Sequence, residues 1–531
     1  MGRQYLLWFH GQPITLFDED EFLPSLSSRD PELILALQAL VLRFPPGSLT
    51  QQLSRRLDEK TREARQMVMN RVAEGRVELS TLQSLCLLSV FDFSSGNTTQ
   101  SGVSLTLASH LAHSIPPSAS PANAKERNYC LRSIFVLQHL QGCLVPAPLG
   151  PAPCCHLPEP LQHAAAPEKD ISAVAADFCV VWRMARAYAA SPVAPDSPPP
   201  WDARSDYARV LQCHHDMDGR APQRFRFAAN RIDRKSPAEL AARRRFWMPF
   251  LFIQFVHEAV PCLLNHPFLL SLRLRHVRRT MPVHFIQQSF ESLGRTAGWV
   301  VFFLDVLERA ALEAPDPVVA HCVVVVATIH LQHSFVRDPA LRGKAEAGFD
   351  KCVRFLTRTG TIWPCVANMA DNLKKLRDSV VTEPTPDPGD GGPPKRSFSI
   401  DARLLRDLLI YDRAGRPDAG RDQSVFGATL RSDARDHHLL PTTTAAEDAA
   451  DFDLVGSAGI SAHKAVPDSA AVYAPEDEGA APAPASLPGV AAPSFEDIFF
   501  EGAGPFGDLA GGFIEANDYG RAIDEWLYLD N

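Results

Sequence analysis

The stretch AARRRFWMPFLFIQFVHEAVPCLLNHPFLLSLRLRH, residues 241–276, decides how this chain folds. It opens on Arg243, Arg244 and Arg245, followed by the aromatic pair Phe246 and Trp247. A long apolar run comes next, then the turn signal Asn265-His266-Pro267, then a second apolar run. Apolar stretches of this length read as buried helices, since strands rarely exceed about ten residues. Pro249 and Pro261 are expected to kink or split the helical segment 237–265, because proline lacks the backbone donor and clashes with the preceding turn.

Working outward, the flanks read as helix after helix. Thr81 to Phe93 carries Leu82, Leu85, Cys86, Leu88 and Val90 at helical spacing, with Ser80 as its expected N-cap. Residues 31–43 start with Pro31, favoured in a first helical turn, and place Leu33, Ile34, Leu37, Leu40 and Val41 on one face. Residues 51–74 are long and charged, as a partly solvated helix would be. Further helices are predicted near 102–114, 171–189, 203–214, 283–313, 317–335, 341–358 and 364–381. Strand-type alternation is rare, so the body is expected to be all-α.

Breaks rich in Pro and Ala at 115–124 and 145–168, and Pro198-Pro199-Pro200 within 190–200, read as surface loops. The expected organisation is a helical domain at 1–381, a Pro/Gly-rich linker with one short helix at 382–440, and an acidic-aromatic tail at 441–531. From about 415 the chain lacks periodicity and is expected to be disordered. The tail holds 17 acidic residues against Lys464 and Arg521, a net −15, which leaves about +6 of the chain's −9 on residues 1–440.

Other bulk properties narrow the classes. The chain has 531 residues, enough for roughly two or three domains. No uninterrupted apolar run reaches the ~18–20 residues that span a bilayer, so no membrane partner is expected. The N-terminus lacks the apolar core of a secretion signal, and Leu6 breaks the myristoylation pattern. Eleven irregularly spaced cysteines, with no Cys-x-x-Cys pair, are expected to be reduced thiols without structural zinc.

Residues 241–276 resemble the middle homology region of fungal zinc binuclear cluster transcription factors. Arg243, Arg244, Arg245, Phe246, Trp247, Asn265, His266 and Pro267 carry the resemblance. It extends to PWDARSDY at 200–207, ELSTLQSLCLL at 78–88, ATIHLQHSF at 327–335 and GTIWP at 360–364. In all it covers roughly residues 1–380. The resemblance implies a nuclear transcriptional regulator, often of a metabolic gene cluster, able to form homo- or heterodimers. The family's six-cysteine DNA-binding cluster does not occur in this sequence, so no zinc ligand carries over. DNA binding and zinc are expected only if such a cluster lies upstream. Two readings stay open: a regulator whose start lies further upstream, or a stand-alone interaction module that modulates a related factor.

The tail supplies the effector candidates. Phe495, Ile498, Phe499 and Phe500 form one acidic-apolar segment, and Ile523, Trp526 and Leu527 a second. Their i, i+3, i+4 spacing suits a short amphipathic helix seated in a coactivator groove.

Other signals carry little. Gly502 to Gly507 spells a dinucleotide-binding pattern, but Pro505 lacks an amide and no strand–helix context surrounds it. His330 and His333, with His321 nearby, read as core histidines rather than metal ligands. The same holds for His214-His215 and His437-His438. Arg243 to Arg245 and the Arg273, Arg275, Arg278, Arg279 group read as solvated helix ends paired with local carboxylates rather than phosphate contacts. No catalytic constellation, cofactor site or metal site is expected, so the chain is read as a non-enzyme.

Overall fold

In the computed structural model the described residues are 1–44, 50–115, 121–141, 170–191, 193, 196–274, 276–277, 280–335, 339–385 and 395–410. They form an all-α body. The chain begins with α1 (Gly2–Trp8), α2 (Glu19–Ser25), α3 (Pro31–Val41), α4 (Gln51–Ala73), α5 (Leu79–Ser94), α6 (Thr98–Leu111) and α7 (Pro121–Gln141). Next come α8 (Ile171–Ala190), α9 (Asp206–Arg220), α10 (Phe227–Asn230), α11 (Pro237–Ala242), α12 (Arg244–Leu264) and α13 (Pro267–Leu274). The chain then runs through α14 (Val283–Arg309), α15 (Pro317–His333), α16 (Pro339–Gly360) and α17 (Pro364–Asp378). A two-stranded antiparallel ladder, β1 (Val381–Thr385) with β2 (Lys395–Ser399), precedes α18 (Ala402–Ile410). The expectations for 145–168 and for everything beyond Ile410 fall outside the described residues.

Helix α12 lies at the centre, against α8, α14 and α15. By length and composition Arg244–Leu274 could cross a membrane, but 94% of its most apolar window is buried inside the body. The expected split does not occur at the prolines. Both lie inside α12, and the break falls at Arg243, which leaves helical geometry at φ −117°, ψ 31°. Pro261 withholds the donor that would have bonded the His257 carbonyl. His214 Nε2, from neighbouring α9, donates to that carbonyl at 3.0 Å instead. The tertiary fold therefore repairs the lesion that the sequence predicts.

Two further expectations are corrected. Helix α5 starts two residues earlier than its apolar stripe suggests, capped by Glu78 in a reciprocal box with Thr81. Ser80 is inside the helix and its hydroxyl donates to Asp30. The loop expected at 115–124 ends sooner, because α7 begins at Pro121, a favoured first-turn position.

The N-terminal helices are tied to the far end of the domain by one buried arginine. Arg43 donates to the Ile362 carbonyl at 3.1 Å and to Ser95 Oγ at 2.9 Å, with its guanidinium over Phe91 and Trp363. Trp363 in turn donates to the Pro315 carbonyl. The eight described cysteines are buried and none is in a disulfide.

Helix α15 is buried along its whole length, including His321, His330 and His333. At Gly348 of α16 an added Cβ would lie 2.9 Å from the His330 ring, whereas at exposed Gly343 it would meet nothing within 4 Å. Gly348→Ala is expected to destabilise the fold by about 1–3 kcal/mol through overpacking. Gly343→Ala should stabilise it by about 0.5–1 kcal/mol. Urea denaturation of the two variants checks both signs.

Burial holds His266, His321 and His330 down to about 3 and His333 to about 4. The unfolded chain takes up these protons near pH ~6.5. The stability they contribute is therefore present above about pH 6.5 and lost as pH falls toward 3–4. Asp316, which caps α15 by accepting from the Val318 amide at 2.8 Å, runs the other way. Burial raises it to about 7, so its contribution is present at low pH and lost as pH rises through 7. The urea midpoint should be lower at pH 5 than at pH 7.5. Asp316→Asn, which keeps the acceptor and removes the charge, should raise the midpoint more at pH 8 than at pH 5.

Candidate functional site

The sequence of α18 prepares it for docking. Leu404, Leu405, Leu408 and Leu409 fall on one stripe, and Asp401 Oδ1 accepts from the Leu404 amide at 3.1 Å to start the helix. Leu405, Leu408, Leu409 and Ile410 are buried against α8, α15 and α17. The helix thus belongs to the body, although it lies in the segment that composition marks as a linker.

Its C-terminal end is the unusual feature. The last carbonyls of a helix have no partner within the helix and carry its negative dipole end. His321 Nε2 lies 3.0 Å from the Leu408 carbonyl and 3.1 Å from that of Leu409, and donates to them. Arg186 donates to the Ile410 carbonyl from Nε at 3.2 Å and from Nη2 at 3.0 Å. Its Nη1 donates to the Leu140 carbonyl at 2.8 Å, near the end of α7. One guanidinium, 2% exposed, therefore caps two helix ends. Burial and the Arg186 charge both keep His321 neutral, and Trp182 meets its ring edge-on at 5.4 Å. This clamp fixes the point from which the chain leaves toward the acidic tail.

The sequence drew attention to His321 only as a neighbour of His330 and His333, and did not single out Arg186. The available signal was a lone arginine on the buried stripe of an apolar helix, which has to find several acceptors. Neither residue's partners could be named, because they lie 46 to 224 positions away.

The residues that carry the sequence resemblance are built into the fold. Arg244 donates to the carbonyls of Leu7, at 3.0 Å, and Glu313, with its guanidinium 5.0 Å from the Trp8 ring centre. Burial lowers its pKa to about 10. Arg245 pairs with Glu19, and Arg243 lies 5.1 Å over Phe246. Only Arg245 fits the expected solvated end paired with a carboxylate; Arg244 is a strut holding α1. Trp247 is buried, and Asn265 accepts from Tyr207 Oη at 2.8 Å while donating to the Pro261 carbonyl at 3.0 Å. His266 Nε2 lies 3.1 Å from Thr328 Oγ1, linking α12 to α15, and Pro267 opens α13. Arg273 stacks on Tyr188 with its guanidinium 3.7 Å from the ring centre. Arg275, Arg278 and Arg279 are outside the described residues, as are Phe495, Ile498, Phe499, Phe500, Ile523, Trp526 and Leu527.

A second polar cluster lies between α9 and α12. The His214 and His257 rings are 4.5 Å apart, His257 Nδ1 is 3.1 Å from Glu258 Oε1, and Asp218 lies 3.7 Å from His257 Nε2. Burial and the neighbouring His257 lower the pKa of His214, and Glu258 and Asp218 raise that of His257 against its burial. Among the described residues, no group of three or more His, Cys, Asp or Glu side chains is placed to hold a metal ion. No family model, curated protein or solved structure matches the chain.

Arg186→Met would leave the Ile410 and Leu140 carbonyls buried without these donors, a cost of about 1–3 kcal/mol for each. Amide hydrogen exchange across 402–410 should accelerate by more than tenfold while α12 stays protected. Equal acceleration in α12 would show global destabilisation and reject the clamp as a local device.

Proposed function

We propose that this protein is a transcriptional regulator acting in the nucleus, in which the helical body governs the presentation of an acidic activation tail. The observation that carries this reading is the clamp on α18. The helix that leads into the tail is seated in the body and held at its C-terminal end by Arg186 and His321. A body that holds the chain at Ile410, 30 residues ahead of the tail, is placed to control its exposure.

Two further features support the reading. The fungal transcription factor resemblance runs through residues buried in the body, with Trp247, Asn265 and His266 among them. The tail interleaves acidic residues with Phe499, Phe500, Trp526 and Leu527, a composition suited to grooves on basic, apolar coactivators. On this reading the tail recruits a coactivator, and the body serves as the regulatory and dimer-forming part. No reaction is assigned to it.

A tethering assay tests the tail. Residues 441–531 fused to an unrelated DNA-binding domain should activate a reporter. Phe499→Ala combined with Trp526→Ala should cut that activation by about tenfold, as loss of anchor aromatics does at comparable interfaces. A silent wild-type fusion would reject the activation reading.

A further inference from the structure

The chain between α9 and α12 runs out over the surface and returns. Its two ends meet where the Phe225 and Phe246 rings lie 6.3 Å apart, with Arg224 4.6 Å over the first and Arg243 5.1 Å over the second. Phe227 packs on Trp299 of α14 with ring centres 4.9 Å apart, and Ile232 and Leu240 are buried. Between these last two anchors, residues 234–239 (Arg-Lys-Ser-Pro-Ala-Glu) are all exposed. The segment is thus held by its flanks and displays a short outer run.

At the centre of that run Ser236 precedes Pro237. The residue before a proline favours extended backbone. Lys235 (φ −86°, ψ 140°) and Ser236 (φ −71°, ψ 154°) both adopt it. Ser236 caps α11 in a reciprocal box with Glu239. Its amide and its hydroxyl each donate to Glu239 Oε2 at 2.9 Å, and its Oγ accepts from the Glu239 amide at 3.2 Å. The box holds a helix of six residues, too short to be stable on its own. Opening it therefore costs little, and the serine with its flanks can be drawn into an enzyme groove. Ser191 and Ser197 also precede prolines. Both are half-buried, and the Ser191 hydroxyl donates to the Tyr188 carbonyl at 2.8 Å. Among the described residues, Ser236 is the exposed serine of this kind.

We propose that Ser236 is a phosphorylation site for a proline-directed protein kinase. Pro237 lacks an amide, so it suits a groove whose next subsite is apolar and offers no acceptor. In the step, Ser236 Oγ attacks the γ-phosphorus of Mg-ATP. An O–P bond forms, the bond to the β–γ bridging oxygen breaks, ADP leaves with that electron pair, and the hydroxyl proton passes to the kinase's base. The product carries a charge of about −2 and no longer donates. It faces Glu239, whose carboxyl the Ser236 amide and hydroxyl hold below its ordinary value. Two anions then meet across the box, and Lys235, 3.7 Å from Glu239 Oε1, is drawn toward the phosphate. The first turn of α11 opens as a result, close to Arg243, where α12 begins. The inference goes beyond the transcriptional reading and does not rest on it.

The full chain is incubated with Mg-ATP and either a mitogen-activated or a cyclin-dependent kinase, and its phosphopeptides are quantified by mass spectrometry. Ser236 should take up phosphate about tenfold faster than Ser191 or Ser197. Pro237→Ala, which keeps a good helix former at this exposed position, should slow Ser236 labelling by about tenfold. In the phosphorylated protein, amide exchange over 237–242 should be about fivefold faster than in the unmodified protein, with α12 unchanged. Glu239→Gln should shrink that difference, because it removes one of the two facing anions. No phosphate on Ser236 with either kinase, equal labelling of the three serines, or labelling indifferent to Pro237→Ala would overturn the site. Unchanged exchange over 237–242 would overturn the opening of α11.

Discussion

Buried carbonyl groups set the terms on which this body closes. In a helical interior the unpaired groups are at helix ends and at prolines, and each has to find a donor from another element. Arg186 answers this for the ends of α7 and α18, and Arg43 for the turn that leads into α17. His214 does so for the carbonyl that Pro261 leaves open in α12. Each of these bonds joins segments far apart in sequence. The helices are therefore fixed relative to one another by directional donors as well as by apolar contact.

This arrangement explains why arginines occupy positions that look like surface charge. A guanidinium has five donors in a rigid fork, so it can satisfy several carbonyls while its stem fills apolar space. Arg244 does this for Leu7 and Glu313, and stacks on Trp8 as well. The basic cluster that opens α12 therefore divides by residue. Arg244 holds the N-terminal helix, Arg245 pairs with Glu19, and Arg243 stays on the surface beside Phe246. That division separates two arginines held by other elements of the body from one that stacks on a neighbouring ring at the surface.

The same logic links structure to the functional reading. Helix α18 carries too few residues to be stable alone, since isolated helices shorter than ~12–15 residues are marginal in water. Its order depends on the leucine stripe and on the Arg186–His321 clamp. A segment stabilised by its seat opens locally when that seat is lost.

The sequence by itself determined the fold class and most of the helix set. Helical periodicity is a local property, written in the spacing of residues such as Leu82, Leu85 and Leu88 or Leu33, Leu37 and Leu40. It also placed the two prolines and the charge imbalance between body and tail, both of which are legible by inspection. The tertiary structure alone decided what those features do. Pro261 is tolerated because His214 comes from another helix, and the composition of 382–440 could not reveal that α18 docks on the body. The Arg224–Phe225 and Phe246–Arg243 pairs became neighbours only when the chain between them folded over α14. In each case the deciding partner is distant in sequence, and a local pattern specifies how a helix forms without specifying which donor meets its end.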